Sequence, residues 1–404
     1  MFELTVSQKK AIKRVGTGAN IFLTGGPGTG KTATLQMIID EAKKNEKKVC
    51  VAGSTGVAAS NFLEGRTLHS LLGWRDDDED ESTYENFSCS EKIKNADIVI
   101  VDEVSMLNES ILKHFVCCLE QLKKQPQIIM CGDFGQLPSP GAPRYPFESL
   151  YWSWFNFISC YLTEVVRQKD IKFILMLNKV RNEDASCLPY FNQCCNHKFN
   201  PDAITVCTRN DDVREENLRR VKQLMGPGMH TFYATGEIED AIFDEVHAIR
   251  EFKAVVGMRV MSIKNDPSGK YMNGWFGTIQ EIKPNAVKVL FDKGKSVWIT
   301  SCGLWVPKKD STGKKSNKKV KVEQLPLVYG YATTVHKVQG QTFDAVNLVL
   351  RKCWEAGQLY VALSRAKSLE GIYLKYPITK ESLKTDPRVK RFYEDLYRQS
   401  LMVA

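Results

Sequence analysis

The segment GGPGTGKT at residues 25–32 constrains the fold of this chain more than any other feature, because it follows an apolar run and precedes a helical pattern. It matches the arrangement GxxxxGK(S/T), in which glycines let backbone N–H groups surround phosphates at a helix N-terminus. Lys31 then reaches the β- and γ-phosphate oxygens, and the Thr32 hydroxyl is placed to bind Mg²⁺. We therefore predict a strand–loop–helix unit that binds ATP and Mg²⁺. The residues predicted to contact the nucleotide here are Gly25, Gly26, Gly28, Thr29, Gly30, Lys31 and Thr32.

The segment IVDE at residues 100–103 supplies the second half of an ATPase site. Asp102 ends an apolar run, where a Walker-B aspartate would hold Mg²⁺ through its water shell. Glu103 is placed to orient and deprotonate the attacking water. An acidic pair at a strand end is, by itself, more often a solvated terminus. Behind GKT it predicts hydrolysis, because binding alone does not need Glu103.

Apolar runs of strand length alternate with helical patterns in two series, which predicts an α/β fold with two RecA-like parallel-sheet lobes. The first series is IFLTG (21–25), KVCVAGS (48–54), DIVIVDE (97–103) and QIIMCGD (127–133). The second series is YLTEVVR (161–167), AITVCTR (203–209), LVYGYATT (327–334), AVNLVL (345–350) and GIYLKY (371–376). In such folds ligands bind at the carboxyl ends of the strands.

Two segments interrupt this alternation. Residues 75–92 carry six consecutive acidic residues and indicate an exposed excursion from the first lobe. Residues 272–325 alternate apolar residues with turn signals, as a small β-barrel does. The predicted domains are therefore 1–160, then 161–271 with 326–404, and the insertion 272–325.

The insertion closes with a lysine-rich stretch at residues 308–321. Such a stretch is at least as often a solvated flexible loop as a nucleic-acid contact, and both interpretations stay open. The whole chain of 404 residues has a formal net charge of +9, which favours a polyanionic partner.

The N-terminal residues and the hydropathy pattern predict an intracellular protein without a membrane partner, in the nucleus, the cytoplasm or a viral replication compartment. The twelve cysteines are scattered through a large chain, as reduced thiols are in intracellular proteins. Cys187, Cys194, Cys195 and His197 lie close together, but they lack the paired spacing of a zinc site. Buried thiols are favoured there, with metal binding as the minor alternative.

The order of the motifs resembles the PIF family of superfamily 1 helicases, including its RecD-like and Dda-like relatives, over nearly the whole chain. The matching segments, in the order of the family, are LTVSQKKAI, GGPGTGKT, GSTGVAA with GRTLHSLLG, VDEVSM, CGDFGQLPS, LTEVVRQ, TRNDDVREEN, YATTVHKVQGQTF and LYVALSRAKS. The resemblance implies an ATP-dependent DNA helicase that translocates 5′-to-3′ on single-stranded DNA and unwinds duplex DNA. It also implies a small wedge insertion in the first lobe and an SH3-like insertion in the second.

The resemblance assigns further residues to the nucleotide. Gln8 would read the adenine edge, Gln136 would sense the γ-phosphate, and Gly340 would lie near the phosphates. Arg167 and Arg365 would be arginine fingers that reach across from the second lobe to neutralise charge in the transition state. Catalysis would then require the lobes to close.

The resemblance also implies a path for single-stranded DNA across the tops of both lobes. Thr55 and His69 would contact it on the first lobe, and Thr334, His336 and Lys337 on the second. The implied partners are single-stranded DNA and tailed or forked duplex DNA, bound by a monomeric motor.

The chain departs from the family pattern at two places. Six acidic residues in the wedge region would repel phosphates, so strand separation would use a short element or Trp74, Tyr84 or Phe87. The segment between VDEVSM and CGDFGQLP is shorter than in eukaryotic members, which indicates a compact member of the family.

Three alternatives accompany this interpretation. An RNA helicase is one, because the choice of sugar depends on contacts near the 2′-OH. A nucleotide-dependent remodelling factor that unwinds little is another, supported by the poor wedge match. A non-motor nucleotide switch is disfavoured, because Glu103, Gln136 and both arginines would have no role in it.

Overall fold

The computed structural model describes residues 4–74, 88–166, 171–244, 247–310 and 315–402. The helices are α1 (Val6–Val15), α2 (Lys31–Lys44), α3 (Gly56–Ala59), α4 (Leu68–Leu71), α5 (Glu91–Lys94), α6 (Glu109–Glu120), α7 (Leu150–Trp154), α8 (Ile171–Arg181), α9 (Leu188–Asn192), α10 (Asn210–Leu224), α11 (Gln358–Leu363) and α12 (Pro387–Met402). The first ten strands are β1 (Ile21–Gly25), β2 (Val49–Gly53), β3 (Arg66–Thr67), β4 (Ile98–Asp102), β5 (Gln127–Cys131), β6 (Ile158–Leu162), β7 (Ile204–Cys207), β8 (His230–Tyr233), β9 (Thr235–Gly236) and β10 (Glu251–Ala254). The others are β11 (Arg259–Ser262), β12 (Phe276–Lys283), β13 (Ala286–Phe291), β14 (Ser296–Thr300), β15 (Cys302–Lys309), β16 (Lys315–Gln324), β17 (Leu327–Tyr329), β18 (Ala332–Thr334), β19 (Val346–Val349) and β20 (Ile372–Leu374).

The first lobe is built on a six-stranded parallel sheet in the order β3-β2-β4-β5-β1-β6. Its central strands are almost wholly buried, as expected for a parallel sheet with helices on both faces. The expectation that YLTEVVR begins the second lobe is wrong, since β6 pairs in parallel with β1 from Ile21↔Ile158 to Gly25↔Leu162. A strand pattern reveals the strand but not the neighbour with which it pairs.

The second lobe is built on a four-stranded parallel sheet in the order β18-β7-β19-β20. The predicted strand LVYGYATT divides in two: β17 pairs antiparallel with β11, whereas β18 pairs in parallel with β7. The division falls at Gly330, where a Cβ would lie 2.6 Å from the backbone carbonyl carbon of Val260. Only glycine allows this close approach, so the chain can pass directly from one sheet to the other.

Antiparallel strands form three further sheets, in the orders β14-β13-β12-β11-β17, β15-β16-β9 and β10-β8. They begin at His230 and end at Tyr329, so they extend beyond the predicted insertion 272–325 at both ends. The strands that prediction missed are β8 to β11, each four residues or shorter and therefore too short to show a clear alternation. The two parallel sheets and these antiparallel sheets together make the α/β architecture.

The C-terminal helix α12 packs on the first lobe, although residues 326–404 were predicted to belong to the second. The ring of Phe392 stacks 4.3 Å from Phe147 and meets Phe134 edge-on at 5.3 Å. Val389 and Leu396 are buried in the same hydrophobic cluster. The chain therefore crosses from the first lobe to the second and then returns.

The predicted wedge insertion lies only partly within the described residues. Residues 75–87 of the predicted wedge, including Tyr84 and Phe87, lie outside the described residues. Trp74 packs edge-on against His114, with 5.4 Å between ring centres. Within the described ranges, no helix is long and apolar enough to cross a lipid bilayer.

The cysteine cluster lies in the core of the second lobe. Cys187 and Cys194 are fully buried among apolar side chains, and the Cys194 thiol faces the Leu369 carbonyl oxygen. The ring Nδ1 of His197 lies 2.9 Å from the carbonyl oxygen of Ile372. In the part of the chain that the structure describes, no group of three or more His, Cys, Asp or Glu residues is arranged to hold a metal ion.

Candidate active site and nucleic-acid interface

The phosphate loop connects the carboxyl end of β1 to the first residue of α2. Gly28 and Gly30 adopt positive φ angles of 70° and 79°, which favour glycine. The Lys31 ammonium donates to the carbonyl oxygens of Gly25 at 2.9 Å and Gly26 at 3.1 Å. The Thr29 hydroxyl also donates to the Gly26 carbonyl oxygen. The sequence thus folds into the predicted loop, with its lysine held across it.

Gln8 lies against this loop from α1. Its side chain is only 2% exposed, and its Nε2 donates to the Thr29 carbonyl oxygen at 3.4 Å. Its Oε1 accepts from the backbone N–H of Thr5, as part of a capping box that begins α1. A Cβ at Gly30 would lie 2.6 Å from Gln8 Nε2, so a glycine is needed for this contact.

Asp102 and Glu103 stand at the carboxyl end of β4. Burial and the neighbouring charge of Glu103 raise the pKa of Asp102 to about 7. Asp102 Oδ1 accepts from the backbone N–H of Glu103 at 2.9 Å. Glu103 has a φ of 56°, and its carbonyl oxygen accepts from the Ser54 hydroxyl. A left-handed conformation at a residue other than glycine is characteristic of functional sites, where the surrounding structure holds it in place.

Segments of the second lobe close over these residues. A Cβ at Gly340 would lie 3.7 Å from Glu103 Oε1. Gln339 Nε2 donates to the Ser105 hydroxyl oxygen at 3.0 Å, a buried hydrogen bond between the lobes. The glycine before α11, Gly357, packs so closely on the turn of Gln136 that a Cβ would lie 2.9 Å from its carbonyl carbon. Glu103 and Gln136 therefore lie where segments of both lobes meet.

Arg365 supports this closure from behind. Its side chain is 6% exposed, and its Nη1 donates to the carbonyl oxygens of Gln341 at 2.7 Å and Val338 at 3.2 Å. These carbonyl groups flank the Gly340 turn, so the guanidinium stabilises the turn that faces Glu103. Its Nε donates to the carbonyl oxygen of Val361 at 2.8 Å and its Nη2 to the Ser364 hydroxyl oxygen at 2.8 Å, both within the second lobe.

Arg167 lies outside the described residues. The residue before it, Val166, donates its backbone N–H to the Gly28 carbonyl oxygen at 2.9 Å. The preceding strand β6 belongs to the first sheet. The chain up to Val166 is therefore part of the first lobe, although the second lobe was predicted to begin at residue 161.

The residues of the cleft fit a hydrated Mg²⁺ bound to nucleotide phosphates. Among the described side chains, three buried oxygen atoms in this cleft have no hydrogen-bond donor: Glu103 Oε2, Gln136 Oε1 and Gln339 Oε1. Acceptors of this kind suit metal-bound water or an attacking water. Thr32 is exposed in the first turn of α2, directly after the phosphate loop, and Asp102 lies at the end of β4.

The five predicted DNA contacts follow strands at the carboxyl edges of the two parallel sheets. Thr55 follows β2 and caps α3, with its hydroxyl accepting from the Ala58 backbone N–H. His69 lies in α4, directly after β3. The backbone of α3 also meets the β11–β12 loop, because a Cβ at Gly56 would lie 2.9 Å from the Asn273 carbonyl oxygen.

On the second lobe, Thr334 ends β18 and His336 follows it. His336 Nε2 lies 2.9 Å from Glu355 Oε2, and this contact lowers the pKa of Glu355. Burial lowers the pKa of Lys337 to about 8. The two sets of residues thus occupy the edges predicted for them.

Sequence reasoning missed Gln339, Ser105 and the β11–β12 loop. Gln339 stands beside Gly340 in VHKVQGQ, and Ser105 stands two residues after Glu103 in VDEVSM. Their positions within recognised motifs were the available signal. Their contact was not visible, because the two residues are 234 positions apart.

Two family models match the chain. An AAA domain matches residues 8–142, and a UvrD-like helicase C-terminal domain matches residues 329–372. The ATP-dependent DNA helicase Pif1 of Bdellovibrio bacteriovorus is 29% identical over 413 residues, which cover 97% of this chain and 92% of that protein. The ATP-dependent DNA helicase PIF1 of Xenopus laevis is 30% identical, and the match covers 98% of this chain but 65% of the frog protein.

Solved structures show the same fold. The Bacteroides Pif1 helicase in complex with ADP-AlF3 and single-stranded DNA is 27% identical and superposes with a TM-score of 0.83 over 98% of both chains. A structure of Pif1 helicases described as unwinding forked duplex DNA gives 0.80 at 28% identity, again over 98% of both chains. Unliganded Bacteroides Pif1 gives only 0.59 at 28% identity, covering 98% of this chain and 97% of that one.

Proposed function

We propose that this chain, which belongs to the Pif1 family of ATP-dependent DNA helicases, hydrolyses ATP between its two lobes and thereby moves 5′-to-3′ along single-stranded DNA. One observation carries the mechanism: Gln339 and Gly340 of the second lobe meet Ser105 and Glu103 of the first. A site completed by both lobes couples hydrolysis to their relative position. Tailed or forked duplex DNA is the proposed substrate, bound by a monomer inside the cell.

The first lobe would supply most of the chemistry. The phosphate loop and Lys31 bind the phosphates, while Thr32 and Asp102 hold Mg²⁺. The metal neutralises charge that develops on the phosphates. Glu103 accepts the proton of the attacking water, and Gln136 orients that water against the γ-phosphate. Gln8 fixes the base edge, because it already contacts the loop at Thr29.

The second lobe and the segment after β6 would supply positive charge for the transition state. Arg365 lies behind the Gly340 turn, so it would exchange one of its carbonyl acceptors for a phosphate oxygen as the cleft tightens. Arg167 follows Val166, which already bonds to the phosphate loop, and would approach from that side. Because Arg365 belongs to the second lobe, its approach to the phosphates makes full closure of the cleft a condition of turnover.

Single-stranded DNA would cross both carboxyl edges. Thr55 and His69 grip it on the first lobe, and Thr334, His336 and Lys337 on the second. This path is supported by a higher TM-score with the relative bound to single-stranded DNA, 0.83, than with the unliganded relative, 0.59. The antiparallel strands after Arg259 would form the SH3-like insertion, and residues 75–92 the wedge.

Polarity on tailed forks tests the proposal directly. Forks with a 5′ tail, a 3′ tail or no tail are mixed with the protein, and strand separation is followed with and without ATP. We expect ATP-dependent separation of the 5′-tailed fork only. ATP-dependent separation of neither tailed fork would refute helicase activity and favour a remodelling factor.

The nucleic-acid preference needs a separate measurement. ATP hydrolysis is compared with single-stranded DNA and RNA of equal length and sequence. We expect stimulation by DNA at concentrations where RNA has little effect. Equal or greater stimulation by RNA would favour an RNA helicase.

A further inference from the structure

Asp133 is a fully buried carboxylate that none of the roles above uses. It follows β5 at the start of the turn that carries Gln136, and it is 0% exposed. Its oxygens accept from the backbone N–H of Gly135 at 2.9 Å and from Arg181 Nη2 at 2.8 Å. They also accept from the hydroxyl groups of Tyr360 at 3.0 Å and Tyr393 at 3.2 Å.

These side-chain partners come from three helices outside the first-lobe sheet. Arg181 ends α8 and Tyr360 lies in α11, both in the second lobe, while Tyr393 lies in α12. Burial alone would raise the pKa of Asp133, but the charges of Arg181 and Lys31 lower it. The carboxylate therefore stays ionised, which in a buried position requires partners to remain in place.

Tyr393 extends this cluster to the phosphate loop. Its hydroxyl oxygen lies 2.9 Å from Thr24 Oγ1, and it accepts from the backbone N–H of Phe134 at 2.9 Å. Thr24 is the residue before Gly25 of the loop, and Phe134 precedes the Gln136 turn. The centre of the Tyr393 ring also lies 4.5 Å from the guanidinium carbon of Arg181, which stacks over it. One hydroxyl thus joins the strand ends that carry the two phosphate-contacting elements.

Tyr360 connects the same carboxylate to the helix that holds Arg365. Arg365 Nε donates to the carbonyl oxygen of Val361, the residue after Tyr360. Displacement of α11 relative to Asp133 would therefore move Arg365 relative to Gln136. Both residues are proposed to act on the γ-phosphate from opposite lobes.

We propose that Asp133, Arg181, Tyr360 and Tyr393 form a positioning cluster that fixes the Gln136 turn relative to the phosphate loop and to α11. The inference deepens the proposed function, on which it rests. Tyr393 is the residue through which the C-terminal helix takes part in ATP hydrolysis, although it does not touch the nucleotide. Loss of the cluster misplaces Gln136 and Arg365 while the phosphate loop still binds ATP.

The substitution Tyr393→Phe tests the cluster, because it removes only the hydroxyl and keeps the ring against Arg181. We expect the kcat of DNA-stimulated ATP hydrolysis to fall about tenfold, as for loss of one charge-assisted hydrogen bond. The KM for ATP is expected to change less than about threefold, because the loop is intact. The number of base pairs separated per ATP is expected to fall as well.

Two further variants separate positioning from stability. Tyr397→Phe changes an exposed tyrosine on the same helix and is expected to match the wild type. Arg181→Lys keeps the charge but not the planar guanidinium, so its kcat is expected to lie between those of the wild type and Arg181→Gln. Each preparation is titrated with a fluorescent ATP analogue, so that rates refer to the folded, nucleotide-binding fraction.

A lowered melting temperature with wild-type kcat and coupling in Tyr393→Phe would overturn the proposal, since it would show a purely structural role. Equal kcat for both Arg181 variants would overturn it as well. Failure of the proposed function is distinct, because the wild-type protein would then show no DNA-stimulated hydrolysis.

Discussion

The two parallel sheets contribute to one site in different ways. In the first lobe, the phosphate loop is one short contiguous segment, and Asp102 and Glu103 belong to another. The residue types within each segment are enough to indicate its predicted role. In the second lobe, Gln339, Gly340 and Arg365 act through their contacts with the first lobe or with one another. We therefore expect the first lobe to make most of the contacts with the nucleotide, and the second lobe to contribute to hydrolysis only when the cleft is closed.

The largest expected effect is on the first lobe. Lys31→Ala removes the ammonium that bridges the loop carbonyl groups, so we expect steady-state ATP hydrolysis to fall about a thousandfold or more. Single-stranded DNA binding, measured by fluorescence anisotropy, is expected to survive, because its contacts lie elsewhere. Lys44→Ala, at the exposed end of the same helix, is the control. Hydrolysis at the wild-type rate in Lys31→Ala would show that the phosphate loop of the first lobe does not have the predicted role.

Glu103→Gln should separate binding from hydrolysis within the first lobe. The variant keeps the size and hydrogen-bonding capacity of the side chain but cannot accept the proton of water. We expect ATP binding to persist and kcat to fall about a hundredfold, as for loss of a general base. Glu120→Gln, exposed at the end of α6, should leave both unchanged. A drop in ATP affinity with little change in kcat would contradict the role of Glu103.

Lys337 should make the binding of single-stranded DNA to the second lobe depend on pH. Burial lowers its pKa to about 8, so its positive charge is present below that pH and is lost above it. We expect its contribution to single-stranded DNA binding to weaken as the pH rises from about 7 to 9, by up to about tenfold. Anisotropy titrations at constant ionic strength measure this. Lys337→Arg should abolish the change, and the same pH profile in both proteins would count against the contact.

The smallest expected effect concerns the hydrogen bond between Gln339 of the second lobe and Ser105 of the first. Gln339→Ala and Ser105→Ala each remove the hydrogen bond between the lobes, and each is expected to lower kcat about fivefold. The double variant should be little worse than either single variant, because the same contact is lost. Additive losses in this double-mutant cycle would mean that the two residues act independently.

The difference between the lobes also explains what the sequence could predict. The phosphate loop, β1 and β4 were predicted close to their observed positions, because contiguous residues determine them. The placement of β6, the division at Gly330 and the return of α12 were not predicted, since each depends on residues far away in the chain. Hydrophobic periodicity reports that a segment is buried, not which surface covers it.

The contacts of Arg365 in the site also depend on residues that are distant in the chain. Its motif predicted an arginine at the cleft, but its hydrogen bonds to Val338 and Gln341 depend on tertiary packing and could not be predicted. Asp133 and Tyr360 lie in two of the recognised motifs, CGDFGQLPS and LYVALSRAKS, but the motifs gave no indication that the two side chains meet. The contacts of Asp133 with Arg181, Tyr360 and Tyr393 join four separate segments, so a single sequence does not show them.

The return of α12 to the first lobe limits how the protein can move. The chain passes from one lobe to the other between β6 and α8, and again before α12, and Tyr161 and Tyr393 bring these regions within 6.0 Å between ring centres. Two bodies joined at one point can swing in any direction, whereas two neighbouring attachments favour rotation about one axis. Each opening of the cleft would then retrace the same arc, so every ATP cycle would repeat the same displacement of one lobe relative to the other.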